Sequence, residues 1–369
     1  MVRLVSYLVV ALLCTPFWGV AQKVQKTVVW TQNEDNINTH FVYGLTVTKK
    51  GTILAMAEAR IDDWRDDSAH HLVLKRSTNK GKTFLPNQII QESKNGESWA
   101  NPTLVQDHTT QEIFLFYALN QHNASSRLFY RTSKDEGATW SEPTEVTALF
   151  EPNKHAWTFH LPGPGHGIQL QKGRLIVQVW HRRSIAFAAP ERRYGVNCIY
   201  SDDHGKTWQV GGDSPVGEFN ESQIVELQNG DLLLVARTHH AEGNSYQAKV
   251  ISKDGGETWT QEAQYDAGLS GTVCDMGLVA YDPKPGYLIA SQPAELTKRR
   301  NLTIRLSKDE GKTWMYNKLL QEGPSTYSDL AILPDKSIIC LYGLGGNRAV
   351  PDEVAIARFK LKWLKSKSK

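Results

Sequence analysis

Five short stretches set an acid or amide beside glycine in the same spacing: STNKGKTF from Ser77, SKDEGATW from Ser133, SDDHGKTW from Ser201, SKDGGETW from Ser252 and SKDEGKTW from Ser307. Carboxylates in a D-x-G setting can ligate calcium, but calcium takes about six to eight oxygens and each stretch offers too few. The repeated acids, Asp135 among them, therefore read as turn acceptors and not as ligands or catalysts. Asp62, Asp63, Asp66 and Asp67 put four carboxylates within six residues, which by itself describes a solvated loop. In GPGHGIQL the Gly-Pro-Gly turn thrusts His166 out of a strand end, although a histidine satisfied by backbone fits that place as well. Cys198, Cys274 and Cys340 are widely spaced among apolar neighbours, a pattern of buried thiols and not of a disulfide framework or zinc site.

The spacing of the five boxes says what must position any chemistry. They recur at intervals of 56, 68, 51 and 55 residues, the period of an array. Each reads as a β-hairpin turn: Asp accepts turn N–H groups, Gly supplies a positive φ, and Trp packs across the turn. In the first copy Asn79 and Phe84 keep an acceptor and an aromatic plug. Between the boxes lie short β-rich runs such as GTILAMAEA, EIFLFYAL, GRLIVQVW and SIICLYGL, with no competing helical period. About four strands per repeat describes a propeller blade. Five box-bearing blades and one assembled from both chain ends predict an all-β, six-bladed β-propeller, which leaves no open sheet edge. The boxes belong at its outer rim, and chemistry near its axis.

The ends of the chain carry other signals. MVRLVSYLVVALLCTPFWGVAQ has an early cation, a short apolar run and a Gly19-Val20-Ala21 ending, the pattern of a signal peptide over residues 1–21. The expected product is secreted or periplasmic, with no membrane span in the mature chain. Residues 22–363 then form the propeller and 364–369 a basic tail, KLKWLKSKSK being read as solvated. A net charge of +3 on 369 residues gives no basis for nucleic-acid binding.

With the boxes stand AEARIDDWRDD followed by HLVLKRS, WANPTLVQD, GPGHGIQL, NESQIVEL, LLLVAR, RRNLTIRLS and STYSDLAIL. In this order, from about Thr39 to Leu361, the chain resembles a bacterial sialidase. The resemblance implies a tyrosine that attacks the anomeric carbon, a glutamate as its base, an aspartate as acid/base and three arginines that grip the substrate carboxylate. By motif the tyrosine is Tyr327, the glutamate Glu221 and the acid/base Asp66, with Asp62, Asp63 and Asp67 as rivals for the last role. Arg237 and Arg299 match two of the arginines, Arg300 being the alternative if the strand register is shifted by one. A phenol attacking near neutral pH needs a base, because its ordinary pKa is about 10. Arginine suits the carboxylate because its planar fork binds it bidentately.

The family's first arginine and the glutamate that holds it are missing. Phe41 stands at the arginine's place and Gly343, in CLYGLGG, at the glutamate's. Losing both is physically consistent, since a buried carboxylate without its cation is costly. Arg60 and His40 are expected to replace part of the lost charge, Phe41 and Tyr43 to form an apolar wall, and Glu58 to orient Arg60 or Arg237. His166 joins them as a substrate-binding candidate, and His70, His71, His239 and His240 as rim residues. The resulting expectation is a secreted retaining exo-glycosidase that acts on a glycan bearing a terminal α-linked sialic acid or related acidic sugar, with no metal or cofactor. Two other readings stand beside it: a polysaccharide lyase using a Tyr/His pair with arginines, and a non-catalytic glycan-binding propeller.

Overall fold

Every box joins the third strand of an antiparallel sheet to its outermost strand. In the box at 133, Asp135 Oδ1 accepts from Ser133 Oγ and Thr139 N, each at 2.9 Å, and Oδ2 accepts from Thr139 Oγ1 at 2.6 Å. Burial is the largest single effect and raises the carboxyl, but these donors together outweigh it and lower the pKa to about 2. In the first box Asn79 accepts from Ser77 and Thr83 N and donates its amide to Thr83 Oγ1, so the turn survives without a charge. Gly137 has φ +76°, the left-handed conformation that this turn demands.

The computed structural model describes residues 24–122, 125–151, 157–182, 194–214, 219–238, 246–282, 284–346 and 350–366. The strands form six antiparallel blades around one axis. The first holds Thr39–Val47, Ile53–Arg60, His70–Ser77 and Gln88–Gln91, and the second Ser98–Gln106, Ile113–Gln121, Ser125–Ser133 and Thr144–Glu145. In the third the inner strand is broken: Phe159–Pro162 and Ile168–Gln169 pair with Leu175–Arg182, while Gly165–His166 between them runs parallel to the second blade's inner strand. The fourth is Phe219–Glu226, Leu232–Thr238, Tyr246–Ser252 and Gln264–Ser270. The long strand Tyr316–Ile332 is outermost in the fifth blade and innermost in the sixth, which merges these two blades into one sheet. Gln25–Thr31 pairs with Glu353–Lys360 and completes the sixth blade from both ends of the chain. Neighbouring blades touch in cyclic order, mostly through their inner strands, with Leu175–Arg182 of the third blade meeting Phe219–Glu226 of the fourth, and the first inner strand meets the sixth.

Alternation along the strands sends apolar side chains into the seams between blades. Trp208, from the third blade's box, lies edge-on to Phe116 of the second with ring centroids 4.8 Å apart. Cys198, Cys274 and Cys340 are free and buried there, and burial pushes the first two thiols up to about pKa 12. The basic end is not wholly solvated: Leu361–Lys365 is a helix in which Leu364 is buried and Trp363 packs on Phe359. Leu364 follows the apolar strand Glu353–Lys360 into the same seam, so the hydrophobic pattern outweighs the lysines. No helix among the described residues is long and apolar enough to cross a membrane. The leader reading of residues 1–21 lies outside the described residues, as do His239 and His240.

Candidate functional site

Four inner strands lose their ladder register at the same end of the axis, between Phe41 and Tyr43, Ala100 and Thr103, Phe219 and Ser222, and Ser325 and Ser328. A β-bulge of this kind bends the strand and re-aims its side chains. Here the bulges turn Phe41, Asn101, Glu221 and Tyr327 toward one cavity of 300 Å³. Val42 and Asn101 have φ of +53° and +57°. For a β-branched residue that is a strained conformation, held in place by the surrounding blades.

Tyr327 donates to both oxygens of Glu221, at 2.6 and 2.7 Å, across 106 residues of sequence. Arg237 Nη1 donates to Tyr327 Oη at 2.5 Å and also to Glu221 Oε2. Arg299 lies over the Tyr327 ring, its guanidinium carbon 5.1 Å from the centroid. Burial pushes the phenol of Tyr327 well above its ordinary pKa, against the opposing effect of Arg237. Tyr327 is thus a neutral donor that must lose its proton to act as a nucleophile. Burial works against the charge of Arg237, but Glu221 and Tyr327 hold its pKa above the usual arginine range.

Across the cavity stands a second charged group. Arg60 Nη2 meets Glu58 Oε2 at 2.8 Å and Asp66 Oδ1 at 2.9 Å, and its guanidinium lies 5.0 Å over the Phe41 ring. Glu58 also accepts from Asn101 N at 3.0 Å, so this carboxylate orients Arg60 and not Arg237. Arg60 is therefore already neutralised and does not offer the extra charge expected of it. Of the four loop acids, Asp66 alone reaches the cavity lining, with its carboxylate 80% exposed.

Several expectations are corrected. Arg300 is exposed and paired with Glu295 at 3.2 Å, while Arg299, just before the strand, faces inward. Tyr43 is buried behind Phe41 and is absent from the cavity wall. Its hydroxyl lies 2.5 Å from where a Cβ on Gly343 would be, so tyrosine occupies the space of the missing glutamate. His166 sits at the opposite end of the inner strands, bonded to Asp329 at 2.8 Å and lining a larger cavity of 940 Å³ that holds none of the Tyr327 group. The broken inner strand of the third blade carries it there. His70 is buried beneath the Asp66 loop, its Nε2 2.9 Å from Arg65 O, and His71 accepts from Ser93 N; neither lines the cavity.

His40 also lies outside the cavity, stacked on Trp30 with ring centroids 5.3 Å apart. Neither ring nitrogen has a hydrogen-bond partner among the described residues. Burial, with Lys75 beside it, lowers its pKa to about 4 despite Glu34, so it is neutral and replaces no charge. His160 is likewise lowered to about 4 and His70 to about 3. Near pH 6.5 the unfolded chain takes up protons that these folded histidines refuse. Stability is present above that pH and is lost as pH falls toward 4. We expect the urea midpoint to drop over this range, and His40→Phe to remove up to about one proton from the slope. An unchanged slope in that variant would rule this account out.

Residues not anticipated from sequence complete the wall: Trp64, Asn101, Asn220, Arg182 and the aromatic group Phe159, Trp180 and Tyr194. Arg182 lies 4.0 Å over the Phe159 ring. The motif WANP marked Asn101's strand, but its positive φ is a product of the bulge. The aromatic group comes from neighbouring ends of three paired strands of the third blade, Phe159–Pro162, Leu175–Arg182 and Tyr194–Ser201.

The profile of a BNR repeat-like domain matches residues 51–340. Among curated relatives, a sialidase of Micromonospora viridifaciens is 30% identical over 344 residues, covering 87% of this chain and 51% of that one. A Bacteroides fragilis sialidase is 29% identical, covering 84% of this chain and 60% of that one. The chain thus spans between half and two thirds of the length of these two relatives. Among solved structures, the Hadza microbial sialidase Hz136 superposes with TM-score 0.78 at 26% identity, covering 89% of this chain and 67% of that one. An intramolecular trans-sialidase from Ruminococcus gnavus shares the fold, with TM-score 0.74 at 21% identity and 90% and 96% coverage.

Proposed function

Because this chain belongs to the sialidase family of BNR repeat-like proteins, we propose that it is a retaining exo-glycosidase that releases a terminal α-linked sialic acid or related acidic sugar from a glycan. The observation that carries this reading is the Tyr327 hydroxyl within 2.7 Å of both Glu221 oxygens, in a cavity shared with Arg237, Arg299 and Asp66. In the first step Tyr327 Oη bonds to the anomeric carbon and passes its proton to Glu221. The glycosidic bond breaks and Asp66 protonates the departing oxygen. In the second step Asp66 takes a proton from water, the water oxygen bonds to the anomeric carbon, and the tyrosyl bond breaks with return of the proton from Glu221. Two inversions give net retention.

The anomeric carbon of such a sugar bears a carboxylate, which repels an anionic nucleophile. A neutral phenol with an adjacent base avoids that repulsion. Arg237 and Arg299 supply the fork for the carboxylate, while Phe41 replaces the third guanidinium by an apolar wall. Export through the 1–21 leader belongs to the same proposal. The lyase alternative needs a Tyr/His pair, and no histidine among the described residues lines the cavity.

The test is incubation with an aryl sialoside under proton NMR, which should show the free sugar appearing first as its α anomer. A sugar product carrying a vinylic proton in the same spectra would instead indicate elimination. The position of Asp66 gives a further expectation. Asp66→Asn should slow a glycoside with an alkyl or sugar leaving group by about a hundredfold or more, and an aryl glycoside far less, because phenolate departs without a proton. Equal slowing of both would remove Asp66 from the acid role.

A further inference from the structure

Trp64 lies two residues before Asp66 and is 42% exposed. A single exposed aromatic is ordinary on a protein surface, so exposure alone says nothing. Three further observations give this one a use. Of the exposed large apolar side chains among the described residues, Trp64 alone lines the candidate cavity. Its indole makes no hydrogen bond or ring contact with any described neighbour, whereas its backbone is tightly held. Arg60 Nη1 donates to Trp64 O at 2.5 Å, and Asp66 O accepts from Asn120 Nδ2 at 2.9 Å and Ser98 Oγ at 3.0 Å. The loop is pinned, and an apolar face and a proton donor stand side by side at the cavity mouth.

The cavity, at 300 Å³, is at the small end of ligand pockets and has room for the terminal sugar only. The group that departs must lie outside it, next to whichever acid protonates its oxygen. We infer that Trp64 is the platform for the leaving sugar, its indole stacking on the apolar C–H face of a pyranose joined to the terminal acidic sugar. This inference rests on the glycosidase reading and on Asp66 as the acid. It makes the preferred substrate an oligosaccharide whose penultimate residue is a hexopyranose with an open C–H face. Stacking of this kind removes apolar surface from water on both partners and points C–H groups at the negative ring face.

The experiment compares Trp64→Ala with the unaltered protein on two substrates, sialyllactose and the α-glycosyl fluoride of the same acidic sugar. Alanine keeps the backbone carbonyl that holds Arg60, so the loop stays in place. Fluoride is too small to stack, so its hydrolysis reports the integrity of the cavity. We expect KM for sialyllactose to rise about tenfold with kcat nearly unchanged, and the fluoride to react at the same rate within about twofold. Trp64→Phe should recover most of the lost affinity. Equal losses on both substrates, or none on sialyllactose, would overturn the inference while leaving the glycosidase reading intact. If the unaltered protein hydrolysed neither substrate, that reading would fail and the platform with it.

Discussion

Tyr327→Phe is expected to fold normally and to lose at least about three orders of magnitude in kcat on an aryl sialoside. The ring of Tyr327 packs against Phe41 at 4.7 Å and beneath Arg299, contacts that phenylalanine retains. What disappears is one oxygen, the one that donates to Glu221 and accepts from Arg237. Those two partners remain bonded to each other, so no buried charge is stranded and stability should change little. On the proposed mechanism the chemistry loses its nucleophile, and the residual rate comes from direct attack of water. The check is steady-state kinetics with a thermal melt of both proteins. A variant that folds and turns over at the original rate would refute the tyrosine assignment.

Gly343→Glu should be close to unfolded, with a loss of about 4 kcal/mol or more. A Cβ there would lie 2.5 Å from Tyr43 Oη and 2.9 Å from Pro351 Cβ, with Thr326 Oγ1 nearer still. The added carboxylate would enter a dry space whose neighbours include Phe41 and no free guanidinium among the described residues. Such a cost takes a large share of an ordinary domain's 5–15 kcal/mol, given as a rough range. Adding Phe41→Arg should not rescue the fold, because Tyr43, Thr326 and Pro351 still fill the site. Urea titration decides it: an unchanged midpoint in the single variant would show that the space can reopen. The loss of the arginine–glutamate pair is therefore a repacked subsite and not a vacancy.

The sequence carried the frame further than it carried the cavity. Box chemistry is local, since Ser133, Asp135, Gly137 and Thr139 bond within one turn, so repetition of the letters means repetition of the hairpin. The residues gathered around Tyr327 were named from motifs, but which neighbours face them was not legible. Arg299 and Arg300 differ by one position and only one can point inward. His40, Phe41 and Tyr43 share a strand, yet the bulge at Val42 places Phe41 in the cavity, Tyr43 behind it and His40 against Trp30. Trp64 gave no periodic signal at all, because loops have none.

By itself the sequence determined that this chain is an all-β six-bladed ring with a sealed seam between its ends, and it marked NESQ and TYSDL as segments that belong together. Turn chemistry and strand alternation act over a few residues, so they can be read from a few residues. Only the tertiary structure decided which end of the axis holds the cavity, that His166 lies at the other end, and that Tyr43 fills the place of the absent glutamate. Those outcomes depend on bulges, on a broken inner strand and on contacts spanning 106 to 163 residues of sequence, such as Tyr327 with Glu221 and Asp329 with His166. Steric exclusion and burial act among atoms brought together by closure of the ring, and no local pattern records them.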